Sequence, residues 1–178
     1  SSTRQSVHAY TKYHPFSEAT STTAEILKTV AAGEIATNWV TNPRVEATDI
    51  SMFTVTGSAI SRSTAQQAVG TASLLVNPAN SAAEEGVYWE SPTIPFSVTP
   101  QYISAQCVVR GASAASAVKL EIRDAAGTTV LAASADTDLA ADWDTQLTAS
   151  IAIAGSTTAA AYRVYVVTTT QHNINFYL

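Results

Sequence analysis

The sequence predicts an all-β protein, a β-sandwich of two antiparallel sheets preceded by an extended N-terminal arm. Three observations predict it. Short apolar runs recur from residue 38 onward, each bounded by turn residues. One run, AVKLEIRD, alternates strictly between apolar and charged side chains. Convincing helical periodicity is nearly absent, which argues against strand–helix units around a parallel sheet.

The arm comes first, over residues 1–37. It carries two Ser/Thr-rich patches, a proline after His14 and no strict alternation. Thr23 can cap a short helix over 24–32 with Gly33 as its stop, and a strand through 26–30 fits almost as well. Tyr10, Tyr13 and Phe16 lie on a segment too short for a core of its own. They require burial against this domain or a neighbouring chain, and are read as subunit contacts.

The body follows, over residues 38–178. Strands are expected over 51–56, 72–76, 86–90, 94–98, 102–110, 117–123, 128–133, 145–153, 162–168 and 173–178. In AVKLEIRD, Val118, Leu120 and Ile122 face inward while Lys119, Glu121 and Arg123 face water. DAAGT makes a turn around Gly127, and TTVLAAS returns. Such spacing suits two packed sheets. GASAAS, NPANSAAEE and AIAGSTTAAA are links between strands, and there is no internal repeat.

Composition bounds the function. The chain has 178 residues, 46% of them hydrophobic, enough for one packed core. Charged residues are 13%, against roughly 25% in ordinary domains. Net charge is −5 without a basic stripe, so nucleic-acid binding has little electrostatic support. No apolar run approaches the roughly 18 residues of a membrane span, and no signal-peptide pattern opens the chain. The chain starts at Ser1, so either a Met was removed or upstream residues are missing. Cys107 has no intrachain partner and reads as a small buried hydrophobe. His8, His14 and His172 lack metal-ligand spacing, and Glu84 and Glu85 are merely adjacent. With no GxSxG, HExxH or phosphate loop, the expectation is a non-enzyme.

Several stretches in order carry a resemblance: NWVTNPRVE, TGSAISRSTAQQAVGTASLLVNP, GVYWESPTIPFSVTPQYISAQCVVRG, VKLEIRDAAGTTV, DWDTQLTASIAI and YRVYVVTTTQHNINFYL. Together they resemble the jelly-roll domains of the carbohydrate-binding module 4/9 type, including versions found in phage tail and virion proteins. The match covers residues 38–178. TPQY lacks the glycine usual in that family, and the chain ends at Leu178 where the family continues with an acidic residue, so it reads as cut short.

The resemblance implies a jelly roll and draws attention to particular residues. It implies a structural calcium ion held in part by Glu46; the acid of the last strand is missing, and the plainer reading is a Glu bonded to nearby backbone. Asp136, Asp138, Asp142 and Asp144 read as a solvated acidic loop without EF-hand spacing. For glycan binding the candidates are Trp89, Tyr88 and Trp143. Tyr88 and Trp89 are neighbours on a strand, so one faces out. Tyr102 and Trp143 occupy positions that the family uses for packing. The reading reached first is a non-enzymatic structural virion protein, a capsid-decoration, tail or fibre component that assembles through its arm. Its expected partners are further copies of the chain, other virion proteins and a host glycan. The alternative is a carbohydrate-binding module that attaches its parent protein to cell-surface or polymeric glycans. Both place the chain on a virion or outside cells.

Overall fold

Alternating strands bury one face each, and the chain satisfies this by stacking two antiparallel sheets. The computed structural model describes residues 25–30, 36–38, 40, 44–94, 101–113, 117–153 and 160–178. Among these the strands are β1 (Glu25–Val30), β2 (Ala36–Asn38), β3 (Phe53–Thr56), β4 (Ser58–Ser63), β5 (Ser73–Pro78), β6 (Gly86–Glu90), β7 (Gln101–Gly111), β8 (Ala117–Arg123), β9 (Val130–Ala133), β10 (Thr137–Asp138), β11 (Thr145–Ile153), β12 (Arg163–Thr168) and β13 (Phe176–Tyr177). No helix occurs among the described residues.

Seven strands form one sheet, in the order β2-β1-β7-β13-β5-β4 with β11 also on β7. Six form the other, in the order β10-β8-β12-β6-β3 with β9 also on β8. This is the β-sandwich expected, with a jelly-roll architecture. Long β7 organises the first sheet. Residues 101–106 pair with β1 on one side, and 101–109 pair with β11 on the other. Phe176 and Tyr177 of β13 continue the β1 side opposite Gly111 and Arg110.

One antiparallel bridge lies outside the named strands among the described residues. Ile94 bridges Ala160, and Tyr102 pairs with Ala152. On the far side of the bridge, Glu90 pairs with Arg163 in the β6–β12 ladder, displaced by one residue.

The core lies between the sheets. Val118, Leu120 and Ile122 of β8 are fully buried, as the alternation requires. They meet Ile103, Ala105, Cys107 and Val109 of β7, Leu147 of β11 and Phe176 of β13 within one cluster. Cys107 is buried as expected, and burial pushes its thiol far above the ordinary range. Glu121 corrects the simple alternation rule. It points away from the core yet is only 2% exposed, because Lys119 and Arg123 on the same strand close over it.

The second half of the segment read as an arm enters the sheet. β1 takes the strand alternative rather than the helix, and pairs with β7 within this chain. Tyr10, Tyr13 and Phe16 lie outside the described residues. Strand 94–98 is described only at Ile94.

Candidate functional site

Each sheet has one outward face, and the two differ in chemistry. On the six-stranded sheet, Tyr88 of β6 and Tyr165 of β12 are register partners, with rings stacked at 4.7 Å between centroids. Arg123 lies over the Tyr165 ring at 4.3 Å and Arg163 over the Tyr88 ring at 5.1 Å. Glu121 bonds Lys119 and Arg123, Glu84 reaches both cations, and Glu90 holds Arg163 at 2.7 Å. The Arg123 hydrogen bond, followed by its charge, holds the Glu84 carboxyl below the usual carboxylate range.

The turn after β8 is tied onto this face. Arg163 donates to the Ala126 carbonyl and Arg123 to the Gly127 carbonyl. Gly127 has φ of 75° and packs so closely on the Tyr165 hydroxyl that a Cβ would collide with it. Rings and charges are thus satisfied by one another, and this face is sealed.

The seven-stranded sheet presents an open face. Ile103, Ala105, Cys107 and Val109 point into the core, so Tyr102, Ser104, Gln106, Val108 and Arg110 point out. On β11 the outward row is Gln146, Thr148, Ser150 and Ala152, all exposed. Register sets Ala152 beside Tyr102, Ser150 beside Ser104, Thr148 beside Gln106 and Gln146 beside Val108. Tyr102 is 51% exposed, the largest exposure among the big apolar side chains described. From Tyr102 to Val108 the two rows carry no charge, over a span of about 20 Å. Arg110 stands at the far end, opposite Tyr177, and its buried Nε has no hydrogen-bond partner.

Amides and hydroxyls both donate and accept hydrogen bonds. Set beside an exposed ring on a rigid sheet, they match a ligand with hydroxyls on its edge and a C–H face. The expectation that Tyr102 serves packing does not fit its exposure. The signal was present in YISAQCVVR, where Tyr102 shares parity with Ser104 and Gln106 and not with Ile103.

The other candidates are dispersed. Trp89 is 5% exposed and packs in the core on the same side as Phe53, its register partner. Tyr88 faces out, but into the sealed face. Trp143 is half-buried in the bend that leads into β11, between exposed Asp142 and Asp144. Asp136 and Asp138 are likewise exposed. Glu84 and Glu85 diverge: Glu85 is 2% exposed and staples its own loop, accepting the backbone N–H groups of Asn80, Ser81 and Ala82.

Glu46 accepts the Thr71 N–H at 2.8 Å and the Thr71 hydroxyl at 2.5 Å. Its own carbonyl and that of Val45 receive the Arg62 guanidinium. These residues do not fit a calcium ion, since a side-chain cation already occupies the carbonyls and the carboxylate is turned to Thr71. No group of three or more His, Cys, Asp or Glu suited to a metal occurs among the described residues. No helix among them is long and apolar enough to cross a membrane.

No family model matches the chain, and no curated protein matches it. Solved structures do. TmCBM61, determined in complex with β-1,4-galactotriose, superposes with a TM-score of 0.55 at 13% identity, covering 79% of this chain and 93% of that one. The CBM22-1 xylan-binding domain of Paenibacillus barcinonensis Xyn10C gives 0.51 at 16% identity, covering 75% and 86%. These likenesses establish a fold shared with carbohydrate-binding modules. They carry the names of families 61 and 22, not the 4/9 type that the motif order resembles. Tailspike protein 4 of bacteriophage CBA120 matches at a TM-score of 0.49 and 13% identity, over 20% of its length, which is too slight to bear on function.

Proposed function

We propose that this chain is a non-catalytic glycan-binding module that attaches its parent protein to a neutral polysaccharide. The ligand lies along β7 and β11, with Tyr102 as the stacking ring and Ser104, Gln106, Gln146, Thr148 and Ser150 as hydrogen-bonding groups. The observation that carries this reading is the exposed Tyr102 beside an uncharged row of amides and hydroxyls. The likeness to carbohydrate-binding modules supports it at the level of fold. The uncharged rows of β7 and β11 favour hydroxyl-rich ligands over polyanions. The virion-component reading shares this fold, but its assembly contacts Tyr10, Tyr13 and Phe16 fall outside the described residues.

The test is electrophoretic retardation in gels containing xylan, β-glucan, galactan, mannan or polygalacturonate. Retardation by a neutral polymer is expected, with loss in Tyr102→Ala. Covering about 50–100 Å² of ring at ~25 cal/mol per Å² corresponds to roughly 1.3–2.5 kcal/mol, or about 8- to 70-fold in affinity. Binding to polygalacturonate alone, or unchanged binding by Tyr102→Ala, overturns the reading.

A further inference from the structure

Arg110 ends the outward row of β7 and is the only charged residue of β7 and β11. It lies about 26 Å along the strand from Tyr102, at ~3.3 Å per residue. Its register partner on β13 is Tyr177, so ring and guanidinium stand on the same face of the sheet. The other half-buried arginines described are occupied. Arg62 donates to the Val45 and Glu46 carbonyls, Arg123 is held by Glu84 and Glu121, and Arg163 by Glu90. Arg110 differs from them. Its Nε is buried without an acceptor, and no described group accepts a hydrogen bond from its two terminal amino groups. Asp144 stands one step beyond the Thr145–Val109 pair, yet it is exposed and forms no ion pair with Arg110.

We propose that Arg110 and Tyr177 form an oxyanion subsite at the end of the glycan-binding face, for a carboxylate or sulfate carried on an otherwise neutral polymer. This rests on the glycan reading of the β7 and β11 rows. A half-buried guanidinium has already lost part of its water. An anion that reaches its terminal amino groups therefore gains a charge-assisted hydrogen bond at a reduced desolvation cost. The planar group can take two oxygens of one oxyanion at once. Tyr177 adds a hydroxyl donor on the same face. The rest of the chain limits how much negative charge the ligand carries. Net charge is −5, and Arg110 is the one cation on the two strands, so a polyanion is repelled while an isolated oxyanion is accepted. The uncharged rows hold the neutral backbone of the polymer, and Arg110 reads its substituent.

The test compares affinity gels of whichever neutral polymer retards the protein with gels of the same polymer carboxymethylated or sulfated at low density. The wild type is expected to bind one derivative about 10-fold more tightly than the neutral parent, the size of one charge-assisted hydrogen bond, with the gain shrinking as salt rises. The derivative that shows the gain identifies the oxyanion. Arg110→Gln is expected to bind parent and derivative alike, and Arg110→Lys to keep part of the gain. Tyr102→Ala is expected to weaken both while keeping their ratio. Circular dichroism confirms that each variant folds. Equal binding of the parent and both derivatives by the wild type overturns the inference. So does a gain that persists in Arg110→Gln, which would place the anion elsewhere. Either result leaves the glycan reading standing, whereas no retardation by any neutral polymer removes that reading and the inference with it.

Discussion

Glu121→Gln separates the sealed face from the open one. Glu121 is 3% exposed at its side chain and lies 2.7 Å from the Lys119 ammonium and 2.5 Å from the Arg123 guanidinium. Glutamine keeps the volume and the packing but removes the charge, and it turns an amide N–H₂ toward two cations. Each lost charge-assisted hydrogen bond is worth about 1.5–3 kcal/mol, and removing one partner of a buried ion pair costs about 3–5 kcal/mol. Lys119 and Arg123 retain Glu84, at 3.4 Å and 3.0 Å, and both keep some solvent. That places the loss near the lower end, about 3 kcal/mol, or roughly 6–12 °C in Tm for a chain of this size. Urea titration at neutral pH reads it as a lower midpoint with unchanged slope. Glu84→Gln is the control, since that carboxylate is 50% exposed and its surface pairs contribute about 1 kcal/mol or less. A Glu121→Gln variant no less stable than Glu84→Gln would refute the idea that this network holds the sheet's outer face. The variant is also expected to bind glycan as the wild type does.

Three further outcomes follow from the same structure. Phe176→Ala empties a fully buried site between β5 and β7 and is expected to cost about 3–5 kcal/mol, measured by the same titration. Acid is expected to destabilise the protein in two stages. Burial holds His172 below the ordinary histidine value, so its contribution is present above about 6.5 and fades as pH falls below that. The Thr71 hydroxyl and N–H hold Glu46 low, the Ser81 hydroxyl does so for Glu85, and the Thr129 N–H for Asp124, so their contribution fades as pH falls below about 4. Thermal melts from pH 8 to pH 3 check the sign, and a Tm that rises toward acid contradicts it. Cys107, buried and with its thiol pushed up, is expected to resist a thiol reagent in the native protein and to react on unfolding in urea.

Much of the fold was legible because burial on one side imposes period-two alternation. β6, β8 and β11 coincide with the runs predicted over 86–90, 117–123 and 145–153. β4 was missed because SAISRS has Ile60 as its only large apolar residue; backbone pairing with β5 holds it, and its side chains give no pattern. Burial of Glu121 was illegible for another reason. An outward position counts as solvated until long neighbours on the same strand fold over it, and whether Lys119 and Arg123 do so depends on Glu84 arriving from a distant loop. Within GVYWE, the sequence showed only that one of Tyr88 and Trp89 faces out; the structure puts Trp89 in the core with Val87 and Tyr88 outside. What parity could not reveal was Tyr165 and the two guanidiniums that occupy the Tyr88 ring, which come from other strands. Of the open face, the β7 row is readable from YISAQCVVR alone. Its union with Gln146, Thr148 and Ser150 needs the ladder between β7 and β11.

The central claim is that the open face of β7 and β11 receives the glycan. The most direct measurement is amide chemical-shift mapping on isotopically labelled protein, titrated with oligosaccharides of whichever neutral polymer retards it. Shifts concentrated at residues 102–108 and 146–152 are the predicted result. Shifts concentrated on β6, β8 and β12 around Tyr88 and Tyr165, with β7 and β11 unmoved, would contradict it.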